Sequence, residues 1–145
     1  MTKESQNLNI EYAEQSVCIT FQSDLELIDA VVKEAVDYLR SKLNDIKEHL
    51  FAVNLVLREG LTNAVRHGNA SEILKKVTLL LDLHDKTRIK IVIEDEGEGF
   101  DWKNHRNKRF PEDQDHGRGM LIMDAYFTGY SYNDKGNVLY LELKL

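Results

Sequence analysis

Apolar residues recur with helical periodicity in two long stretches of the chain. From Leu25 to about Leu43 they return every three or four positions, which predicts an amphipathic helix with one buried face. Asn44-Asp45 interrupts this pattern, and a second helix is predicted from about Ile46 to His67. The positions predicted to face a core are Leu25, Ile28, Val31, Val32, Ala35, Val36 and Leu39 in the first helix and Leu50, Val53, Leu57, Leu61 and Ala64 in the second.

Shorter apolar runs predict β-strands around these helices. One run precedes the first helix, two form a hairpin after the second helix, and two form a C-terminal hairpin whose final strand alternates. These runs are Ser16–Phe21, Val77–Leu83, Arg88–Ile93, Gly129–Tyr132 and Val138–Leu145. This order of elements predicts an α+β fold, a two-layer α/β sandwich in which helices cover one face of a mostly antiparallel sheet.

A long polar segment separates the two hairpins. Residues 101–116 contain almost no apolar side chain apart from Trp102 and Phe110, and they include the only proline. Loops of this length are uncommon inside a compact domain and are usually functional lids or disordered segments, so we expect a mobile loop here. A short apolar helix is predicted to follow at Met120–Phe127, and residues 1–15 are predicted to be a flexible or edge segment.

Length and composition fit one globular domain over residues 1–145. The net charge of -6 argues against nonspecific binding to nucleic acid or to an anionic membrane. Cys18 is the only cysteine, so an internal disulfide is excluded and a reducing compartment fits. Because the N-terminus has no apolar signal region and no run of about 18 apolar residues occurs, we expect a cytoplasmic protein.

Three polar side chains lie on one strip of the second predicted helix. Glu59, Asn63 and His67 follow each other at four-residue spacing, which places them on one narrow face, away from the apolar one. Taken alone, this strip is either a partly solvated helix edge or one wall of a polar site. Gly68-Asn69 follows it and is typical of a left-handed helix cap.

Two further polar motifs occur downstream of the helix. Asp95-x-Gly97-x-Gly99 comes directly after a predicted buried strand, and its glycines would let the backbone approach a ligand and adopt positive φ. A plain acidic turn is the alternative. Gly117-Arg118-Gly119 opens the short apolar helix, whose free N–H groups suit an anion such as phosphate, although a flexible hinge would have the same composition.

Together, and in this order, the three motifs resemble the N, G1 and G2 boxes of the GHKL (Bergerat-fold) ATPases. Within that superfamily the chain is most similar to the stand-alone bacterial anti-sigma-factor serine/threonine protein kinases. The similarity lies in the short length, the form E-x-x-x-N-A-x-x-H-G of the first box, and G-R-G-M before the last helix. It covers the chain from about Ser16 onward and implies a histidine-kinase-like ATPase fold, with ATP and Mg²⁺ as cofactors.

The resemblance also implies a role for each residue of the first two boxes. Glu59 would be the general base that orients the attacking hydroxyl, and Asn63 would be the one direct protein ligand of Mg²⁺. A single amide oxygen is sufficient there, because Mg²⁺ keeps several waters and binds substrate phosphates. Asp95 would accept a hydrogen bond from the adenine amino group, while Gly97 and Gly99 would let the base and sugar approach the backbone.

In the third box, the resemblance implies that Gly117, Arg118 and Gly119 contact the phosphates. Residues 101–116 would form the ATP lid. His67 matches the family's first box, and we favour a structural role for it at the end of the helix over a catalytic one.

The resemblance implies an ATP-dependent serine/threonine protein kinase that acts as an anti-sigma regulatory factor. Its partners would be a small anti-sigma antagonist protein, which it phosphorylates, and a sigma factor, which it sequesters; a homodimer is implied as well. The alternative is a nucleotide-dependent protein-binding regulator of the same fold with little or no phosphotransfer. Glu59 favours the kinase, because a pure binder needs no base at that position. The catalytic part of a histidine kinase is a weaker interpretation, since no helical phospho-acceptor hairpin precedes Ser16.

Overall fold

A seven-stranded antiparallel sheet with two α-helices on one face makes up the fold. The computed structural model describes residues 2–5, 7–99 and 129–145. The elements are β1 (Thr2–Ser5), β2 (Leu8–Tyr12), β3 (Ser16–Gln22), α1 (Ile28–Lys42), α2 (Leu50–Asn63), β4 (Lys76–Asp82), β5 (Arg88–Asp95), β6 (Gly129–Tyr132) and β7 (Val138–Lys144). The strand order is β1-β2-β3-β4-β5-β7-β6, which confirms the predicted α+β sandwich.

Strands β3 and β4 are separated in the chain by the two helices and are neighbours in the sheet. They pair antiparallel, with Val17 opposite Leu81. The two predicted hairpins are confirmed as antiparallel pairs, β4 with β5 and β6 with β7. β5 lies between β4 and β7, which places its C-terminal end inside the sheet rather than at an edge.

The core lies between the helices and one face of the sheet. Alternate residues of the strands are buried, as expected when only one face of an antiparallel sheet is covered. The side chains buried most completely are Phe21, Ile10, Ile19, Leu39, Leu57, Leu61, Leu79, Leu81, Ile89, Ile91, Leu141 and Val17.

One predicted core position is wrong. Leu25 is 48% exposed, because the chain first forms a 3₁₀ turn over Leu25–Leu27 and α1 begins only at Ile28. Asp24 caps this turn, and its Oδ1 accepts a hydrogen bond of 2.9 Å from the amide of Glu26. A second 3₁₀ turn, Ile46–His49, precedes α2 in the same way.

Two strands, β1 and β2, occur within residues 1–15, at one edge of the sheet. Leu8 and Ile10 of β2 are buried and extend the core toward that edge. The predicted loop at residues 101–116 and the predicted helix at Met120–Phe127 lie outside the described residues. Among the helices that are described, none is long and apolar enough to cross a membrane.

Candidate functional site

Helix α2 packs close to β5, and the segment after the helix reaches the C-terminal end of that strand. A Cβ atom at Gly60 would lie only 2.6 Å from Cδ1 of Ile93, so the helix backbone approaches the sheet closely there. Eight residues later, a Cβ atom at Gly68 would overlap the carboxylate of Asp95, lying 2.8 Å from its Oδ1. These two close approaches bring the end of the first sequence motif against the start of the second.

The predicted polar strip belongs to the same stretch of the chain as these two points of contact. Glu59 and Asn63 are half-buried on α2, and His67 is exposed one turn further on. Among the described residues, no group forms a hydrogen bond with the Asn63 side chain. Its amide oxygen therefore has coordination capacity for a ligand, which the predicted role in Mg²⁺ binding requires.

The helix does not end as its sequence predicts. A π turn over Ala64–Gly68 follows α2, and the amide of Asn69 donates a 2.8 Å hydrogen bond to the carbonyl of Ala64. The left-handed residues are Ala70, with φ of 50°, and Ser71, with φ of 56°. The prediction of a left-handed cap at Gly68-Asn69 is therefore wrong, since Asn69 has φ of -89°, and Gly68 is needed for its close approach to Asp95.

Asp95 is the last residue of β5 and is 8% exposed. Its Oδ1 accepts a 2.8 Å hydrogen bond from the amide of Gly97. Burial raises the pKa of this carboxyl, and the charge of Glu94 adds to that, whereas the Gly97 hydrogen bond and the charges of Lys135 and Lys75 act in the opposite direction. No other hydrogen bond to this carboxylate comes from the described residues, so Oδ2 retains acceptor capacity.

Both glycines after Asp95 are required by the protein's own backbone. A Cβ atom at Gly97 would overlap the carbonyl of Gly68, and one at Gly99 would overlap the carbonyl of Lys135. The predicted positive φ is confirmed at Gly99, with φ of 82°, while Gly97 does not have one. The turn is thus packed between the end of α2 and the β6–β7 connection, and contact of either glycine with a nucleotide stays a prediction.

Sequence reasoning assigned Asn69 only to a helix cap and missed its part in this region. Asn69 is completely buried, its Oδ1 accepts a 2.8 Å hydrogen bond from the amide of Glu96, and its Nδ2 donates to Ser23 Oγ at 2.7 Å and to the carbonyl of Lys76 at 2.9 Å. The sequence places an asparagine directly after the first box but carries no signal of its burial, which depends on three distant segments meeting there.

The β6–β7 connection was also missed, because its sequence is that of an ordinary hairpin turn. The Asn137 carbonyl accepts a 3.0 Å hydrogen bond from the amide of Asp95, and Asn137 Nδ2 donates to the Asp95 carbonyl at 3.0 Å. Nearby, burial raises the pKa of Tyr132 to about 12, and the Asp95 charge contributes to this shift. The connection therefore fixes the backbone of Asp95 through both its amide and its carbonyl.

The third predicted motif, Gly117-Arg118-Gly119, lies outside the described residues, as does Phe100. Its contact with phosphates stays a prediction. In the described part of the chain, no three histidine, cysteine, aspartate or glutamate side chains are grouped so that they could hold a metal ion.

Comparison with known proteins identifies the family. Residues 21–143 match the family model of the histidine kinase-like ATPase domain, and the chain belongs to that family. As a domain of this kind, it binds ATP. Among curated proteins no match was found.

One similar solved structure is the histidine kinase domain from the Erythrobacter litoralis EL346 blue-light activated histidine kinase. It is 19% identical to this chain, with a TM-score of 0.46. The match covers 66% of this chain and 44% of that one, so the chain spans less than half the length of that structure.

Proposed function

We propose that the chain is an ATP-dependent serine/threonine protein kinase and an anti-sigma regulatory factor. It phosphorylates a small anti-sigma antagonist protein and sequesters a sigma factor. The observation that carries the nucleotide part of this proposal is the buried Asp95 carboxylate, which keeps an acceptor oxygen while it is packed against Gly68, in the π turn that follows the helix with Glu59 and Asn63.

The described residues fit an adenine nucleotide at this point. An adenine amino group is a hydrogen-bond donor, and Asp95 Oδ2 is an acceptor in a largely water-excluded place, where such a bond is strong. Guanine presents a carbonyl oxygen at the corresponding position and would face the carboxylate with a second acceptor. Asp95 therefore selects adenine in the proposed site.

The phosphates and the acceptor hydroxyl are assigned to the polar strip of α2. Asn63 would provide one oxygen ligand to Mg²⁺, which supplies charge neutralisation to the phosphates when it is bound. Glu59 would take the proton of the acceptor hydroxyl as its oxygen forms a bond to the γ-phosphorus and the bond to the bridging oxygen of ADP breaks. The products are ADP and a phosphorylated serine or threonine.

The partner classes are supported by the form of the first box, Glu59-x-x-x-Asn63-Ala64-x-x-His67-Gly68, which resembles the anti-sigma kinases. The structure contributes the exposure of Glu59, which is half-buried on α2 rather than enclosed in the core. A protein hydroxyl can reach such a side chain only if it is accessible from solvent.

Glu59→Ala separates the kinase from a nucleotide-dependent binder. The purified protein is incubated with labelled ATP and with candidate antagonist proteins and sigma factors from the same genome, and phosphorylated residues are identified by mass spectrometry. We expect the wild-type chain to phosphorylate a serine or threonine of one antagonist, and the variant to bind Mg-ATP with unchanged affinity but transfer at least about 100-fold more slowly.

Glu48→Ala is the matched control, because Glu48 is exposed in the 3₁₀ turn before α2. It should transfer phosphate at the wild-type rate. Transfer at that rate by Glu59→Ala would remove the assigned base. A wild-type chain that binds a sigma factor in an ATP-dependent manner but phosphorylates no partner would instead support the nucleotide-dependent binder.

A further inference from the structure

The side chain of Asn69 connects three segments of the chain directly beneath the candidate nucleotide site. Its two amide hydrogens are donated to Ser23, in the β3–α1 connection, and to Lys76, at the start of β4. Its oxygen accepts the amide of Glu96, the residue after Asp95. The Asn69 backbone is also bonded, with its amide donating to Ala64 and its carbonyl accepting from Glu72 at 2.9 Å.

The Glu96 amide belongs to the peptide group that joins it to Asp95. Fixing that peptide limits rotation of the backbone next to the Asp95 carboxylate, and the Gly97 amide that binds Asp95 Oδ1 comes one residue later. Gly68, the residue before Asn69, packs against both Asp95 and Gly97. Asn69 thus holds the turn in two ways, through the hydrogen bond of its side chain to Glu96 and through the packing of the preceding residue, Gly68.

We propose that Asn69 is a positioning residue for nucleotide selection, which sets the direction of the Asp95 carboxylate by holding the amide of Glu96. This inference rests on the proposed function, because it assigns the Asp95 carboxylate to adenine. Asn69 does not contact the nucleotide in this proposal. It acts through Glu96, and its removal should affect recognition of the base more than the transfer step assigned to α2.

The arrangement also explains why asparagine suits this position. The site offers two acceptors, the Ser23 hydroxyl and the Lys76 carbonyl, and one donor, the Glu96 amide. A primary amide matches this set, with two hydrogens and one oxygen on a short side chain. Aspartate would keep the acceptor for Glu96 but lose both donors when it is ionised.

Three variants test the proposal through the affinities for ATP and GTP, measured by calorimetric titration in the presence of Mg²⁺. Asn69→Ala should reduce the preference for ATP over GTP about tenfold, the effect of loosening one hydrogen bond to a charged group. Asn69→Asp should recover most of this preference, because it keeps the acceptor, although its melting temperature falls as well. Asn54→Ala is the matched control, since Asn54 donates a single 3.2 Å hydrogen bond to Leu50 within α2 and should leave the preference unchanged.

A purely structural role would lower the melting temperature of Asn69→Ala but leave its preference for ATP at the wild-type value, and that result would overturn the proposal. Equal losses of preference in Asn69→Ala and Asn69→Asp would overturn it as well. If Asn69→Ala does not fold, Ser23→Ala removes one partner of Asn69, and it should lower the preference relative to Asn54→Ala; an unchanged preference would contradict the proposal.

The outcomes separate this inference from the proposed function. A wild-type chain that prefers ATP but transfers no phosphate would refute the kinase activity and leave the Asn69 measurement fully informative. Where transfer is observed, Asn69→Ala should raise the KM for ATP while kcat at saturating ATP is retained, the opposite of the pattern expected for Glu59→Ala. A wild-type chain that binds ATP and GTP equally would overturn the assignment of Asn69.

Discussion

Asp82 and Asp95 end neighbouring strands at opposite ends of the β4–β5 hairpin and form the same local turn. Asp82 Oδ1 accepts the amide of His84 at 2.9 Å, and Asp95 Oδ1 accepts the amide of Gly97 at 2.8 Å. Their surroundings differ, since the Asp82 side chain is 32% exposed, whereas Asp95 is buried. The His84 backbone hydrogen bond, with the His84 side chain and Lys90, lowers the pKa of Asp82, while burial raises that of Asp95.

The difference shows which of the two carboxylates is stabilised by its own surroundings. At Asp82 the hydrogen bonds and the positive charge nearby already favour the ionised carboxylate, so the turn stabilises itself. At Asp95 the hydrogen bond from Gly97 and the nearby lysine charges do not fully offset the burial of the carboxylate. The burial therefore costs stability unless a further hydrogen-bond donor binds there. A buried acceptor of this kind is common at binding sites, where the ligand completes the hydrogen bonds.

The close packing at the Asp95 turn should make Gly97→Ala the most damaging change. Its Cβ atom would overlap the carbonyl of Gly68, and neither backbone can move without displacing Asp95 or α2. We expect a loss of about 3 kcal/mol in the free energy of unfolding, measured by urea denaturation. Gly129→Ala is the control, because a Cβ atom there would meet nothing within 4 Å among the described residues, and it should cause no loss. Equal stability of the two variants would show that the turn is not packed as described.

Substituting the two aspartates should separate their roles in nucleotide binding. Asp95→Asn keeps an acceptor for the Gly97 amide but replaces the charged acceptor of the proposed adenine contact with a neutral amide. We expect ATP affinity to fall by about 10- to 100-fold, the effect of losing a hydrogen bond of about 1.5–3 kcal/mol to a charged group, with little change for GTP. Asp82→Asn should bind both nucleotides as the wild type does. Retained preference for ATP in Asp95→Asn would count against the adenine contact, and this can be measured by calorimetric titration.

Most of the fold follows from sequence patterns that report local geometry. The helical periodicity of α2 and the alternation in β7 each reflect one covered face, so both elements are predictable from the chain alone. The exposure of Leu25 and the π turn after Asn63 were not, since both depend on how a helix end meets the rest of the molecule. Sequence spacing likewise cannot distinguish an α turn from a π turn when the residues favour either.

In the candidate site, too, some residues are predictable from local sequence motifs and others depend on contacts between distant segments. Glu59, Asn63 and Asp95 could be predicted because their motifs are short, and the resemblance supplied the connection between them. Asn69 and Asn137 lie in connecting segments, and only the meeting of distant segments makes them part of the region around Asp95. The structure adds close contacts of Gly97 and Gly99 with the protein's own carbonyl groups, and their approach to a ligand stays a prediction.

The smallest predicted effect is a difference between the two aspartates in how they make stability depend on pH. Because the pKa of Asp95 is raised in the folded state, its contribution is present below the ordinary value of 3.8 and is lost as the pH rises through the raised pKa. Asp82 has a lowered pKa, so its contribution is present above 3.8 and is lost as the pH falls through the lowered value. Melting temperatures are measured from pH 3 to about pH 7. As the pH rises, the melting temperature of Asp95→Asn should increase relative to that of the wild type, and that of Asp82→Asn should decrease relative to it. Parallel curves for the three proteins would mean that the two carboxylates have the same environment. The Asp95 turn would then not differ from the Asp82 turn in holding a buried carboxylate without full compensation.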